Sequence, residues 1–156
     1  MKKPICSAFL FLTFFTLGTY AQESGSTMSE TSMEKQNKAL ATEFMTLAFV
    51  KKDLDAATLL MNDDYIQHNP FAASGKAAFK QAISGMLKNN PDLKFEIKHV
   101  YVDGNYVIFH SLYQLNKDDR GSAVVDILRV ENGKIAEHWD VGQRIPEKSA
   151  NENGMF

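Results

Sequence analysis

The chain of 156 residues carries a single cysteine, Cys6. It lies in an apolar stretch at the N-terminus, so the sequence beyond it can neither form a disulfide within itself nor supply a catalytic thiol. The fold must rest on an apolar core, and a chain of this length can bury one. An excess of one charge is also missing. There are 17 Lys and Arg against 19 Asp and Glu, for a net charge of −2, and the basic residues are scattered among acidic ones. With no basic stripe, a nucleic-acid surface is excluded. No Gly-rich phosphate loop and no G-x-S-x-G elbow occurs, which removes nucleotide-cradling and serine-elbow chemistry. After the N-terminal stretch, no run is long and apolar enough to span a membrane.

What is present begins with a leader. "MKK" is a short basic start, "PICSAFLFLTFFTLG" an apolar run, and "TYA" a cleavage site before Gln22. This is the layout of a secretory signal peptide over residues 1–21. The run is shorter than the roughly 20 apolar residues of a spanning helix. Cys6 sits early in it, the wrong place for a lipid-modified cysteine at a cleavage point. The expectation is a periplasmic or secreted protein with no cysteine after processing. Residues 22–31, "QESGSTMSET", read as a flexible linker. Residues 32–156 are then one domain.

Thr31 and Glu34 fit a capping box. Leu40, Phe44, Leu47 and Ala48 follow at helical spacing, predicting a helix to about Val50. Asp53 can cap a second, short helix, and "NDDYIQHNPF" reads as a short strand or ordered loop ending in turn formers. Ser74 is the expected cap of a third helix with Phe79, Ile83, Met86 and Leu87 on one face. From Leu93 the period changes to two, and four strands follow in an antiparallel meander. The last two are joined by Asn132-Gly133, a type I′ hairpin signal. Helices first and strands after give an α+β domain with helices on one face of the sheet. Both faces of the middle strands are apolar, so the second face should also be covered, by a sheet wrapping a pocket or by a partner subunit.

With Asn132 and Gly133 as a two-residue turn, regular pairing puts Ile127 opposite His138, Val125 opposite Asp140 and Asp126 opposite Trp139. His138 and Asp140 would share a face with Val125 and Ile127, and Trp139 would pack on the helix side with Val124 and Leu128. A bulge inside the strand would reverse the faces. A carboxylate among apolar neighbours is a candidate acid or base near neutral pH.

Four segments, "YIQHNP", "GKAAFKQAI", "AVVDILRVENGKIAEHWDV" and "SANENGMF", resemble SnoaL-like proteins of the nuclear transport factor 2-like superfamily, over roughly residues 34–156. The resemblance implies a cone-shaped roll, in which a strongly curved antiparallel sheet wraps around three helices and leaves a deep pocket. It also implies a homodimer formed through the sheet. In the polyketide-cyclase branch a last-strand aspartate is the acid/base of an aldol closure, and that position is Asp140. The limonene-epoxide-hydrolysing branch needs an Arg-x-Asp pair that falls here at Ser111 and Tyr113, which disfavours epoxide hydrolysis. The acids of the steroid isomerase branch have no evident counterparts.

The candidate catalytic residues are therefore Asp140 and His138, with Tyr65, His68, Phe71 and Tyr113 as substrate-binding candidates. His68, His110, His138 and Asp140 have no recognised metal-ligand spacing, so neither a metal nor another cofactor is expected. The function expected is binding of a small apolar carbonyl compound, with aldol-type cyclisation or isomerisation by acid/base chemistry. A non-catalytic binding module of the cell envelope using the same pocket is the alternative.

Overall fold

The computed structural model describes residues 29–156, so the leader and most of the linker lie outside the described residues. Helix α1 spans Ser32–Met45 and opens with the expected capping box. The Glu34 N–H donates to Thr31 Oγ1 at 3.2 Å, and the Thr31 N–H donates back to Glu34 Oε2 at 2.7 Å. Glu34 Oε1 also accepts from the Gly104 N–H at 3.0 Å, which ties the helix start to a strand turn 70 residues away. The helix then widens into a π-turn over Thr46–Val50, a local departure often found near functional sites. Helix α2, Leu54–Leu59, is capped by the Asp53 carboxylate on the Ala56 N–H. Helix α3 spans Lys76–Asn89, and its cap differs from expectation. Gly75 occupies the cap position, because the Ser74 hydroxyl is taken by the Gln67 N–H at 3.0 Å.

Five strands form one curved sheet: β1 (Met61–Gln67), β2 (Lys94–Asp103), β3 (Tyr106–Gln114), β4 (Ser122–Glu131) and β5 (Lys134–Arg144), in the order β1-β5-β4-β3-β2. β2 to β5 are the expected antiparallel meander. β1, the "NDDYIQ" segment, adds to the edge of β5 in parallel. The α+β roll with three helices against the sheet is thus as the sequence implied. The core lies between helices and inner sheet face, with Phe44, Met45, Tyr65, Phe109, Leu128 and Ile135 among its fully enclosed side chains. Among the described residues no helix is long and apolar enough to cross a membrane.

One feature of the hairpin overturns the expected register. Asn132 and Gly133 turn as expected, with φ of 51° and 70°, and Glu131 pairs with Lys134 and Val130 with Ile135. A bulge then intervenes, so that Arg129 pairs with Glu137, Leu128 with His138, Ile127 with Trp139 and Asp126 with Asp140. The extra residue, Ala136, lets two consecutive side chains, Ile135 and Ala136, both be buried, which an unbroken alternation would forbid. The bulge exchanges the neighbours. His138 and Asp140 keep a common face, but it is the inner face, shared with Val124, Asp126 and Leu128. Trp139 lies half-buried on the outer face with Val125 and Ile127, not against the helices.

The loop joining β3 to β4 is held by Asp119. Its carboxylate accepts from the Leu115 and Gly121 N–H groups at 2.9 and 3.0 Å and from Arg144 at 2.8 Å. These bonds, the backbone ones first, hold its pKa down at about 2. A depressed carboxylate stabilises the fold above its ordinary value near 3.8, and that contribution is lost as pH falls toward about 2. Asp119→Asn should therefore melt below the wild type at neutral pH, with the gap closing over that acid window. Thermal melts across the pH range measure it.

Candidate functional site

The sheet curls away from α3 and the π-turn, leaving a cavity of about 300 Å³ on the inner face. Its walls are apolar, built from Phe49 of the π-turn, Phe79, Ile83 and Met86 of α3, and Phe95 of β2. Its polar end gathers Gln67, Asn69, Asp126, His138 and Asp140. An apolar cleft with a few convergent polar groups is the usual form of a small-molecule site.

The polar groups form a connected network. His138 Nε2 lies 3.0 Å from Asp126 Oδ1 and 3.9 Å from Asp140 Oδ2. On its other side, His138 Nδ1 is 3.0 Å from Gln67 Nε2 and 3.1 Å from Gln67 Oε1. A glutamine amide so placed serves both states of the ring. It donates to an unprotonated Nδ1 and accepts from a protonated one. The Asn69 N–H donates to Gln67 Oε1 at 2.9 Å, and Gln67 Nε2 donates to the Tyr65 hydroxyl at 3.0 Å, which together hold the amide in place.

Asp140 is oriented by Asn69. The Phe71 N–H donates to Asn69 Oδ1 at 2.8 Å, so the amide Nδ2 must face Asp140, where it donates to both carboxylate oxygens at 2.8 Å. Asp126 is more deeply enclosed, at 6% exposure, and its Oδ2 is buried with no hydrogen-bond partner. A buried unpaired acceptor is costly, and in a native fold it asks for a reason. Tyr113 projects into the same cavity with its hydroxyl on the Met86 sulfur, a weak acceptor. Burial, and then the Asp126 charge, push its pKa up to about 12, which keeps the hydroxyl protonated as a donor. Asp126, His138 and Asp140 each bring a donor atom within 4.8 Å of the others. They are the described residues that could hold a metal ion, while their hydrogen bonds equally suit proton transfer.

The expected site residues divide. Asp140, His138 and Tyr113 line the cavity. Tyr65 is fully buried behind it, its pKa raised by burial, and it reaches the site only through Gln67. His68, expected at the pocket mouth, is on the outer face. Its ring stacks on Trp139 at 4.2 Å, its Nε2 meets Glu137 at 2.8 Å, and Glu137 in turn meets Arg129 at 2.6 Å. Strand alternation explains this, since Gln67 points inward beside His138 and the next residue must point outward. Phe71 is 96% exposed and contributes its backbone N–H rather than its ring. His110 is also outside, packed at 5.1 Å against Phe156 of the C-terminal tail, which lies over the outer face. The sequence reading missed Gln67, Asn69 and Asp126. Asp126 carried one signal, being the only acidic residue in the apolar run "SAVVDILRV".

Comparison with known proteins agrees with this architecture. Residues 41–138 match the SnoaL-like domain family. The match ends two residues short of Asp140. An NTF2-like protein of unknown function from Mesorhizobium loti has a similar structure, with a TM-score of 0.63 at 20% identity, covering 74% of this chain and 97% of that one. A proposed SnoaL-like polyketide cyclase from Jannaschia sp. gives 0.64 at 16% identity, covering 73% and 90%. A proposed ketosteroid isomerase from Kribbella flavida gives 0.63 at 16%, covering 77% and 87%. At these identities the likeness concerns the fold. No curated protein sequence matches the chain. The family match spans more than half of the chain and the roll and its cavity fit it, so this protein belongs to the SnoaL-like domain family.

Proposed function

We propose that the protein binds a small apolar carbonyl compound in this cavity and moves a proton on the carbon beside the carbonyl, leading to aldol-type ring closure or isomerisation. The observation that carries the reading is the meeting of Asp140, His138 and Asp126 at the end of an apolar cavity. Asp140, oriented by Asn69, removes the proton. The Tyr113 hydroxyl, kept protonated and held only by sulfur, donates to the substrate oxygen as negative charge develops on it. His138, set between Asp126 and the two-way amide of Gln67, takes up or returns a proton without moving.

Tyr113→Phe should lower turnover by roughly 10²–10³-fold, the effect of removing one donor to a developing oxyanion. KM should change less, because the ring still fills the wall. Steady-state kinetics on any substrate found will check this.

Ligand capture from a clarified lysate, followed by mass spectrometry, tests the reading as a whole. The expected result is a carbonyl compound whose cyclised or isomerised form accumulates with active protein. Recovery of the same ligand unchanged would leave the alternative, a binding module in which Asp140 and His138 only fix orientation.

We extend the proposal to location and assembly. The leader-like residues 1–21 support export to the periplasm or medium, and an N-terminus at Gln22 in the purified protein would agree with it. Tyr101, Tyr106 and Val141, exposed at the outer sheet face, support pairing of two copies through that face.

A further inference from the structure

The cavity wall contains one sulfur in contact with a polar group of the site. Met86 of α3 lines the cavity and is half-buried, and its sulfur accepts from the Tyr113 hydroxyl. Both partners are held. The Asn90 N–H and the Asn90 Nδ2 each donate to the Met86 carbonyl at 2.9 Å, which fixes the backbone at the end of α3. The Tyr113 ring meets Phe95 edge-on at 6.3 Å. Two other methionines, Met45 and Met61, are sealed in the core at 1% exposure. Beyond Cys6 the chain has no thiol to intercept an oxidant, so sulfur oxidation falls on methionine, and at the cavity on Met86.

We propose that Met86 is a modification site, where a peroxide entering the cavity converts the thioether to a sulfoxide whose oxygen captures the Tyr113 hydroxyl and switches the site off. The sulfur has two lone pairs, and the hydroxyl engages one of them. The other attacks an oxygen of hydrogen peroxide. An S–O bond forms and the O–O bond breaks. The departing hydroxide takes the proton from the newly bound oxygen and leaves as water. Sulfur is oxidised by two electrons and the peroxide is reduced. A thioether is a weak acceptor, whereas the polar sulfoxide oxygen holds the hydroxyl firmly, away from a substrate carbonyl. The switching rests on the proposed part of Tyr113 in the reaction, and the modification itself does not.

The test treats the folded protein with hydrogen peroxide and follows each methionine by peptide mass spectrometry. Met86 should gain one oxygen about tenfold or more faster than buried Met45 and Met61. Met33, 51% exposed, is the reference for an open site. Oxidation of Met86 as slow as that of the two buried residues overturns the proposal. The NMR signals of the Tyr113 ring should shift in the oxidised protein, and unmoved signals overturn the capture. Deuterium exchange at the methyl group of acetophenone should fall about tenfold or more on oxidation, toward the loss expected for Tyr113→Phe. Methionine sulfoxide reductases should restore it. Peroxide should leave Met86→Leu at whatever rate that variant has, whereas Met33→Leu should still lose exchange. An equal proportional loss in Met86→Leu, or persistence of exchange in oxidised Met33→Leu, overturns the switch. If the untreated protein exchanges nothing, the proposed reaction fails, while the mass spectra and the Tyr113 signals still decide the modification.

Discussion

Asp140→Asn is expected to lower the rate of proton removal from carbon by roughly 10²–10⁴-fold, the usual contribution of one positioned acid or base. The loss should appear in kcat and in kcat/KM alike, because the group acts in the transition state and its shape in the ground state is kept. An amide in place of the carboxylate still offers an oxygen to Asn69 Nδ2, so the end of β1 with Gln67 and the turn with Asn69 should stay in place. The same substitution therefore separates chemistry from architecture. Melting temperature should move little while turnover collapses.

Phe44→Ala should cost roughly 3–5 kcal/mol of folding stability, the range for removing a buried aromatic ring. Phe44 is 2% exposed and packs at 5.4 Å against Phe79, which in turn meets Tyr65 edge-on at 6.0 Å. The ring lies under the cavity, so its removal should also loosen the wall that Phe79 supplies. Against a typical total of about 5–15 kcal/mol, such a loss is a large share of the margin. Urea unfolding followed by circular dichroism will measure it. A change below about 1 kcal/mol would mean that the helix–sheet contact is not the core described.

Much of this was legible because it is local. The capping box of Thr31 and Glu34 and the Asp53 cap are set by neighbours three residues apart. The Asn132-Gly133 turn is dictated by its own φ requirements, and strand alternation alone puts His138 and Asp140 on one face. What was not legible depends on distant partners. The bulge at Ala136 answers the packing of Ile135 and Ala136 against the core, and it reverses which side of the sheet the pair faces. With it, Asp126 moves from an expected partner of Trp139 to the partner of Asp140 and His138. The parallel docking of β1 on β5 brings Gln67 to His138 across 71 residues, and no local pattern announces that. The same docking turns His68 outward onto Trp139. Ser74 lost its capping role to a backbone N–H from the same strand.

The most direct test of the account is deuterium entry beside a carbonyl. Acetophenone is an enolisable ketone of a size for this cavity, and its methyl group exchanges slowly in D₂O alone. Incubated near neutral pH and followed by NMR, the wild-type protein should speed loss of the methyl proton signal well above buffer, and Asp140→Asn should fall back to near the buffer rate. Equal exchange with both proteins, or none above buffer with the folded wild type, would contradict the claim that Asp140 removes a carbon-bound proton within the cavity.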